Sequence, residues 1–170
     1  MWLVGMMGAG KSTVGRVLAQ RLHTPYVDID AEVEREAGCT VAEIFEREGE
    51  SGFRARERAA IDAWAGAVAV VALGGGAIAQ PGAAPRLAAS GTVVYLRARL
   101  ETLLERSGVG PVRPLLAGLD GAARRGRLEG LLAQRRDAYE SAQIIVDVDE
   151  GSPEDLAEIV ARRIAGSAAS

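Results

Sequence analysis

The chain has 170 residues, of which 20 are basic and 23 acidic, so its formal net charge at pH 7 is -3. This length fits one domain with a hydrophobic core, and the 48% hydrophobic content excludes a chain that is disordered by composition. The mild acidity argues against a general nucleic-acid binder, and single copies of cysteine (Cys39) and histidine (His23) exclude a disulfide framework and disfavour a zinc site.

Short apolar runs alternate with amphipathic stretches along the chain, which predicts an α/β fold with a parallel sheet covered by helices. The strands are predicted at Trp2–Val4, Tyr26–Asp28, Val68–Leu73, Thr92–Leu96 and Ile144–Val148. The helices are predicted at Lys11–Leu22, Ala31–Ala37, Val41–Glu48, Gly52–Ala65, Leu100–Glu105, Ala123–Tyr139 and Pro153–Ile164. A segment rich in glycine and proline, from 107 to about 120, predicts a mobile lid on a single domain.

The first predicted strand is followed by a glycine-rich motif of the form G-x-x-x-x-G-K-[ST], at residues 5–12. In this position, between a strand and a helix, backbone N–H groups and the positive end of the helix dipole bind phosphate. Lys11 is expected at the β- and γ-phosphates of a nucleotide, and the Ser12 hydroxyl is expected on Mg²⁺. Lys11 is also the one lysine beside 19 arginines, which indicates that an ammonium is needed there.

Two carboxylates, Asp28 and Asp30, follow the second predicted strand. Residues two apart in a strand face the same side, so both are expected to project from the carboxyl end of the sheet, beside the phosphate-binding loop. One would hold magnesium-bound water and the other would accept a proton from an attacking hydroxyl. The alternative is a pair of solvated acids that cap a helix starting at Ala31.

A third motif pairs Arg54 with Glu57, one helical turn later. The carboxylate can orient the guanidinium for bidentate recognition of a substrate carboxylate, although the residues alone favour an exposed pair of little energetic value. Three glycines at 74–76 follow the third strand and either bring backbone N–H groups to a ligand or form a flexible turn. The remaining candidates are Arg106, Arg113 and Arg135.

In this order the motifs resemble those of the shikimate kinase family, over nearly the whole chain. The series comprises the glycine-rich loop, Asp-x-Asp, Gly-Glu-x-x-Phe-Arg-x-x-Glu, Leu-Gly-Gly-Gly, Arg followed by Val-Arg-Pro-Leu-Leu, and Arg-x-x-x-Tyr. The resemblance implies ATP-dependent phosphorylation of the 3-hydroxyl of shikimate, a step toward chorismate and the aromatic amino acids. It also implies a three-layer P-loop kinase fold with a five-stranded parallel sheet, a substrate-binding region at about 30–60 and a lid at about 107–120.

The resemblance further implies a role for each matching residue. The residues implied for ATP are Gly8, Ala9, Gly10, Lys11, Ser12, Thr13, Arg106 (stacked on adenine) and Arg113 (on the transferring phosphate). The residues implied for shikimate are Asp30, Arg54, Gly75, Gly76 and Arg135, with Glu57 orienting Arg54. Asp30, Lys11 and Arg113 are implied as catalytic residues, and Ser12 and Asp28 as the residues that hold Mg²⁺.

Some features depart from the family, and other functions stay open. Residues 147–151 supply no basic side chain for adenine, Arg136 rivals Arg135 for the substrate carboxylate, and Pro111 is expected to stiffen the lid. The alternatives are another P-loop kinase, such as a gluconate or nucleotide kinase, and a nucleotide-dependent switch without an acceptor. The chain lacks asparagine, which disfavours a GTPase. We expect a cytoplasmic monomer that binds neither nucleic acid nor membrane.

Overall fold

Five short segments form a parallel sheet in the computed structural model, which describes residues 1–107 and 119–167. The strands are β1 (Trp2–Val4), β2 (Tyr26–Asp28), β3 (Val70–Ala72), β4 (Val93–Arg97) and β5 (Ile144–Asp147). Their order is β2-β3-β1-β4-β5, and every pairing is parallel. All residues of β1 and β3 are buried, as expected when both faces of a parallel sheet are covered.

Helices follow the strands in the alternation that the sequence predicts. They are α1 (Lys11–Arg21), α2 (Ile29–Ala37), α3 (Val41–Ala63), α4 (Ala83–Ser90), α5 (Leu100–Ser107), α6 (Gly121–Glu140) and α7 (Pro153–Ser167). The α1 helix packs against α7 and against β3, while α2 packs against α3. Within residues 1–107 and 119–167, no helix is both long and apolar enough to cross a bilayer. The predicted α/β architecture with a five-stranded parallel sheet is confirmed.

The sequence predicts two helices for the two halves of α3, at Val41–Glu48 and Gly52–Ala65, and the two halves meet at a kink. Gly49 interrupts the helix with φ 70° and ψ -175°, a combination that is open to glycine alone. Thr40 begins the helix with a capping box, in which its side chain and that of Glu43 each accept a backbone N–H. The predicted break between two helices is therefore confirmed, and it lies at Gly49.

The α4 helix is absent from the sequence-based prediction. Pro85 is its third residue, which breaks the usual signal for a helix interior. A proline is tolerated in the first turn because the N–H groups there have no partner within the helix. Gly82, with φ 72°, precedes the helix in place of a side-chain cap, so the sequence offers no capping motif either.

Candidate active site

The glycine-rich loop connects the end of β1 to the first residue of α1, which is the context that phosphate binding requires. Gly8 and Gly10 have φ of 84° and 85°, in the left-handed region that glycine adopts without steric cost. Gly10 is the N-cap of α1 and forms no side-chain cap, so the first N–H groups of the helix are available to an anion. The Lys11 ammonium donates to the carbonyl oxygens of Gly5 (2.8 Å) and Met6 (3.1 Å), which hold it against the loop.

Asp28 links β2 to this loop. The Ser12 hydroxyl donates to Asp28 Oδ2 at 3.3 Å, and the Tyr26 hydroxyl donates to the same oxygen at 3.2 Å. Burial raises the pKa of Tyr26 to about 12, so the phenol keeps its proton and remains a donor at neutral pH. The other oxygen, Oδ1, accepts the backbone N–H of Asp30 at 3.2 Å, which makes Asp28 the N-cap of α2.

The prediction that a strand aligns Asp28 with Asp30 is wrong. β2 ends at Asp28, and α2 begins at Ile29 rather than at Ala31. Asp30 therefore reaches the site from the first turn of a helix, where the cap holds its backbone. Both aspartates are half-buried and line one cavity, so neither is the fully solvated acid of the alternative interpretation, although Asp28 does cap the helix.

Arg54 and Glu57 form a buried ion pair on α3. Arg54 Nη1 donates to Glu57 Oε2 at 2.7 Å, and the two side chains are 12% and 2% exposed. The exposed pair that the residues alone favoured is therefore wrong. Glu50 accepts from Nε (3.3 Å) and Nη2 (3.1 Å) of the same guanidinium. Burial lowers the pKa of Arg54, but the charge of Glu57 and the hydrogen bonds of both carboxylates hold it above its ordinary value.

Glu57 places a second carboxylate close to Asp30. Burial raises the pKa of Glu57, the charge of Arg54 opposes the rise, and the charge of Asp30 adds to it. Gly74 lies between the two acids, because a Cβ there would be 2.6 Å from Glu57 Oε1 and 2.9 Å from Asp30 Oδ1. A side chain at position 74 would therefore force the two carboxylates to shift.

The last glycine of the triplet lies where two guanidinium groups converge. A Cβ at Gly76 would be 2.6 Å from Arg54 Nη2 and 3.3 Å from Arg135 Nη2. Arg135 is only 8% exposed and lines the cavity, whereas Arg136 is exposed and does not. Two convergent guanidinium groups offer the forked donors that a carboxylate accepts.

These groups share a cavity of about 650 Å³, within the range for a small-molecule site. Its lining includes the glycine-rich loop, both aspartates, the Arg54–Glu57 pair, all three glycines at 74–76, and Arg135. A phosphate-binding loop, a carboxylate that can accept a proton and a carboxylate-binding arginine pair therefore open on one space. The arrangement suits phosphoryl transfer from a nucleotide to a small acid that carries a hydroxyl.

Comparisons with known proteins agree with this chemistry. A family model described as shikimate kinase matches residues 7–165. The shikimate kinase of Thermobifida fusca (strain YX) is 44% identical over 164 residues, which cover 95% of this chain and 92% of the relative. The shikimate kinase of Halorhodospira halophila is 46% identical over 166 residues, which cover 96% of this chain and 90% of the relative. The solved structure of shikimate kinase from Acinetobacter baumannii in complex with shikimate is 38% identical, with a TM-score of 0.87. The match covers 98% of this chain and 92% of that one.

The chain belongs to the shikimate kinase family. It is therefore an ATP-using kinase that acts on shikimate, as its motifs predict. The likeness to a solved shikimate kinase also confirms the predicted P-loop kinase fold.

Most residues predicted for a shikimate kinase site meet at the cavity. Those that line it are Gly8, Gly10, Lys11, Ser12, Thr13, Asp28, Asp30, Arg54, Gly75, Gly76, Arg106 and Arg135. Ala9 is buried and is not part of the lining. Arg113 and Pro111 lie outside the described residues, as does most of the segment predicted as a lid.

Several cavity residues have no role in the sequence-based prediction, although Phe53 belongs to one of its motifs. Val41, Phe45 and Phe53 of α3 line the cavity, and the two phenylalanine rings contact each other with centroids 4.9 Å apart. Their spacing is that of ordinary core positions, so only the neighbouring Arg54 could have drawn attention to them. Gly74 was identified as part of a glycine triplet, but its two carboxylate neighbours come from helices that are distant in sequence.

The segment after β5 lies beside Arg106. Arg106 Nη2 donates to the backbone oxygen of Val148 at 3.1 Å, so this guanidinium lies between the cavity and that segment. The acidic residues there pair with other arginines: Asp147 accepts from Arg97 at 2.5 and 2.9 Å. The segment thus contributes a backbone contact to Arg106 in place of the basic side chain that shikimate kinases can carry there.

The oxygen atoms beside the glycine-rich loop fit Mg²⁺. The Ser12 hydroxyl and an Asp28 carboxylate oxygen lie 3.3 Å apart and are hard donors. Among the described residues, no group of three His, Cys, Asp or Glu could hold a metal ion. The two oxygens of Ser12 and Asp28 suit Mg²⁺ in a kinase, because this ion takes most of its ligands from phosphates and water.

Proposed function

We propose that this shikimate kinase transfers the γ-phosphoryl group of ATP to the 3-hydroxyl of shikimate and that Asp30 receives the hydroxyl proton. The observation that carries the proposal is the shared cavity of Lys11, Asp30, Arg54 and Arg135. The O–P bond to shikimate forms as the bond to the β-phosphate oxygen breaks, and ADP leaves. Because this transition state is loose, Asp30 mainly orients the hydroxyl before it takes the proton.

Shikimate is held by its carboxylate in this proposal. Arg54 and Arg135 donate to the carboxylate, and the backbone at Gly75 and Gly76 brings the ring close to both arginines. Glu57 fixes the orientation of Arg54 through the 2.7 Å ion pair. A carboxylate between two partly desolvated guanidinium groups forms charge-assisted hydrogen bonds, which are stronger than neutral ones.

ATP is held at the other set of donors. The N–H groups from Gly8 to Thr13 bind the β- and γ-phosphates, and Lys11 stabilises the charge on the transferred group. Ser12 and Asp28 would hold Mg²⁺, which neutralises phosphate charge when bound. Arg106 is proposed to stack on adenine from its position at the cavity edge.

The proposal is tested by measuring ADP release from Mg²⁺-ATP with shikimate, gluconate or nucleoside monophosphates as acceptor. Of these acceptors, we expect only shikimate to give sustained ADP release. Phosphorus NMR of the product should show a phosphate ester on the 3-oxygen. A Lys11→Ala variant measures the contribution of contaminating kinases. Faster turnover with gluconate or a nucleotide, or equal ADP release without an acceptor, would contradict the proposal.

The proposal extends to location and assembly. We place the reaction in the cytoplasm, where ATP is available and where a single unpaired cysteine stays reduced. We also propose that the enzyme is a monomer. Light scattering during gel filtration should give the 17.8 kDa mass of one chain.

A further inference from the structure

The phenol of Tyr139 is a buried polar group that the proposed steps do not use. It lies on α6 and is 0% exposed. Its ring stacks on that of Tyr95 in β4, with centroids 4.8 Å apart and an interplanar angle of 12°. The sheet therefore fixes the ring and, through it, the place of the hydroxyl.

The hydroxyl connects two parts of the site. It donates to the backbone oxygen of Gly75 at 2.5 Å, and the guanidinium of Arg135, one helical turn earlier, lies beside it. Burial raises the pKa of Tyr139 above its ordinary value, so the single phenolic proton stays in place for Gly75. The phenolic oxygen then has lone pairs with which it can accept from Arg135.

Several groups crowd this point. A Cβ at Gly75 would be 3.3 Å from Arg135 Nη1, 3.5 Å from the Gly5 oxygen and 3.6 Å from the Tyr139 hydroxyl. The same Gly5 oxygen accepts the Lys11 ammonium at 2.8 Å. A small shift of the Gly75 backbone is therefore felt both by Arg135 and by the loop that holds Lys11.

The two arginines are positioned in different ways. Arg54 is held by two carboxylates, which offset its charge. Among the described residues, Arg135 forms no ion pair: it donates to the sulfur of Met6 at 3.7 Å and lies beside the Tyr139 hydroxyl, while the charge of Glu57 acts on it from beyond ion-pair distance. Neutral partners fix the direction of Arg135 while its positive charge stays available to an anion.

We propose that Tyr139 is a positioning residue for shikimate, whose hydroxyl holds Gly75 and Arg135 together without neutralising the arginine. The inference rests on the proposed function, because it assumes that Arg135 meets the substrate carboxylate. It predicts an effect on shikimate binding that is larger than any effect on ATP.

The test compares Tyr139→Phe with Tyr95→Phe, which removes the hydroxyl of the stacked partner ring. Loss of a hydrogen bond to a charged group predicts a rise of about tenfold in KM for shikimate in Tyr139→Phe, with KM for ATP and kcat within about twofold. Tyr95→Phe should leave all three values within about twofold of the wild type. With the carboxamide analogue of shikimate as substrate, the difference in KM between Tyr139→Phe and the wild type should be smaller than it is with shikimate.

A normal KM for shikimate in Tyr139→Phe overturns the inference, and so does an equal rise in Tyr95→Phe or an equal rise in KM for ATP. Circular dichroism confirms that each variant is folded at the assay temperature. If Tyr139→Phe does not fold, Gly75→Ala crowds the same groups and should also raise KM for shikimate more than KM for ATP; equal changes overturn the inference. Turnover of shikimate by the wild type tests the proposed function by itself. The ratio of KM for shikimate between the Tyr139→Phe variant and the wild type tests the role of Tyr139.

Discussion

Arginine is the commonest charged residue of this chain, and individual arginines have different structural roles. Arg35 and Arg162 lie on the surface and pair with glutamates on their own helices, contacts that contribute little to stability. Arg54 is partly buried and lies between the buried Glu57 and the exposed Glu50, and these two carboxylates take three of the five N–H donors of its guanidinium. The remaining donors lie near Gly76, where the substrate carboxylate is proposed.

Arg54→Lys keeps the charge and removes the planar fork. We expect KM for shikimate to rise by about 10- to 100-fold, because an ammonium lacks the planar fork of donors that can hydrogen-bond to Glu57, Glu50 and a substrate carboxylate together. Initial rates at varied shikimate and saturating ATP measure the change. Arg58→Lys, an exposed position on the same helix, is the control and should behave as the wild type. An unchanged KM in Arg54→Lys would show that Arg54 does not bind the carboxylate.

Asp30→Asn removes the proton acceptor while it keeps the size of the side chain. General-base catalysis contributes about 10²- to 10⁴-fold, so we expect kcat to fall by at least about 100-fold. Binding of a nonhydrolysable ATP analogue, measured by calorimetry, should stay within about twofold. The control is Asp62→Asn at the exposed end of α3, which should keep the wild-type kcat. A normal kcat in Asp30→Asn would remove this residue from the mechanism.

At the scale of single elements, α3 contributes more of the site than any other helix among the described residues. Its first half carries Phe45 and its second half carries Phe53, Arg54 and Glu57, all on the cavity. The kink at Gly49 separates the halves, and Glu50 follows it directly. The backbone at one glycine therefore sets how the aromatic wall meets the carboxylate-binding residues.

Gly49→Ala tests this role of the kink. A side chain in this backbone conformation costs about 1–3 kcal/mol, so we expect the free energy of unfolding in urea to fall by that amount. KM for shikimate should rise as well, because Arg54 lies just beyond the kink. The matched control is Gly126→Ala in α6, where a Cβ meets no atom within 4 Å. There we expect a gain of about 0.5–1 kcal/mol, and equal effects at both positions would refute the role of the kink.

Local patterns predicted some elements well and others poorly, for physical reasons. The glycine-rich loop is identified from sequence because its glycines, lysine and flanking elements are contiguous. The burial of Arg54 could not be predicted, since an arginine and a glutamate one turn apart look the same on a surface helix as in a cavity. For Asp30, α2 begins two residues earlier than predicted because Asp28 is its N-cap; an aspartate at either position 28 or position 30 suits a cap, so the sequence does not decide between them.

At the scale of the whole molecule, surface carboxylates and arginines make stability depend on pH. The hydrogen bond from Arg97 holds the pKa of Asp147 below its ordinary 3.8, and those from Ser152 do the same for Asp155. Such groups stabilise the fold above the unfolded pKa, and this contribution is lost as pH falls through the lower pKa of the folded state. Glu57 acts in the opposite sense, because its raised pKa favours the protonated, folded form at mildly acidic pH.

We therefore expect Tm to fall steeply below about pH 4, where the carboxylates with lowered pKa become protonated. Differential scanning fluorimetry from pH 7 to pH 3 measures this fall. About 0.5 M salt should reduce the part of the Tm decrease that comes from exposed ion pairs. Asp147→Asn should lose less Tm on acidification than Glu150→Gln, whose exposed side chain is the control. Equal losses in the two variants would exclude a contribution from the Arg97–Asp147 pair.

The position of β1 between β3 and β4 has a consequence for how such an enzyme changes over time. The loop after β1 carries the proposed phosphate site of ATP, and the loop after β3 carries the glycines proposed for shikimate. Backbone hydrogen bonds such as Leu73 N–H to Leu3 O at 3.0 Å join the two strands. Most other proposed acceptor contacts come from α3 and α6, outside the sheet. A lineage can therefore exchange those helices to accept a new alcohol while the spacing between donor and acceptor stays fixed by the sheet.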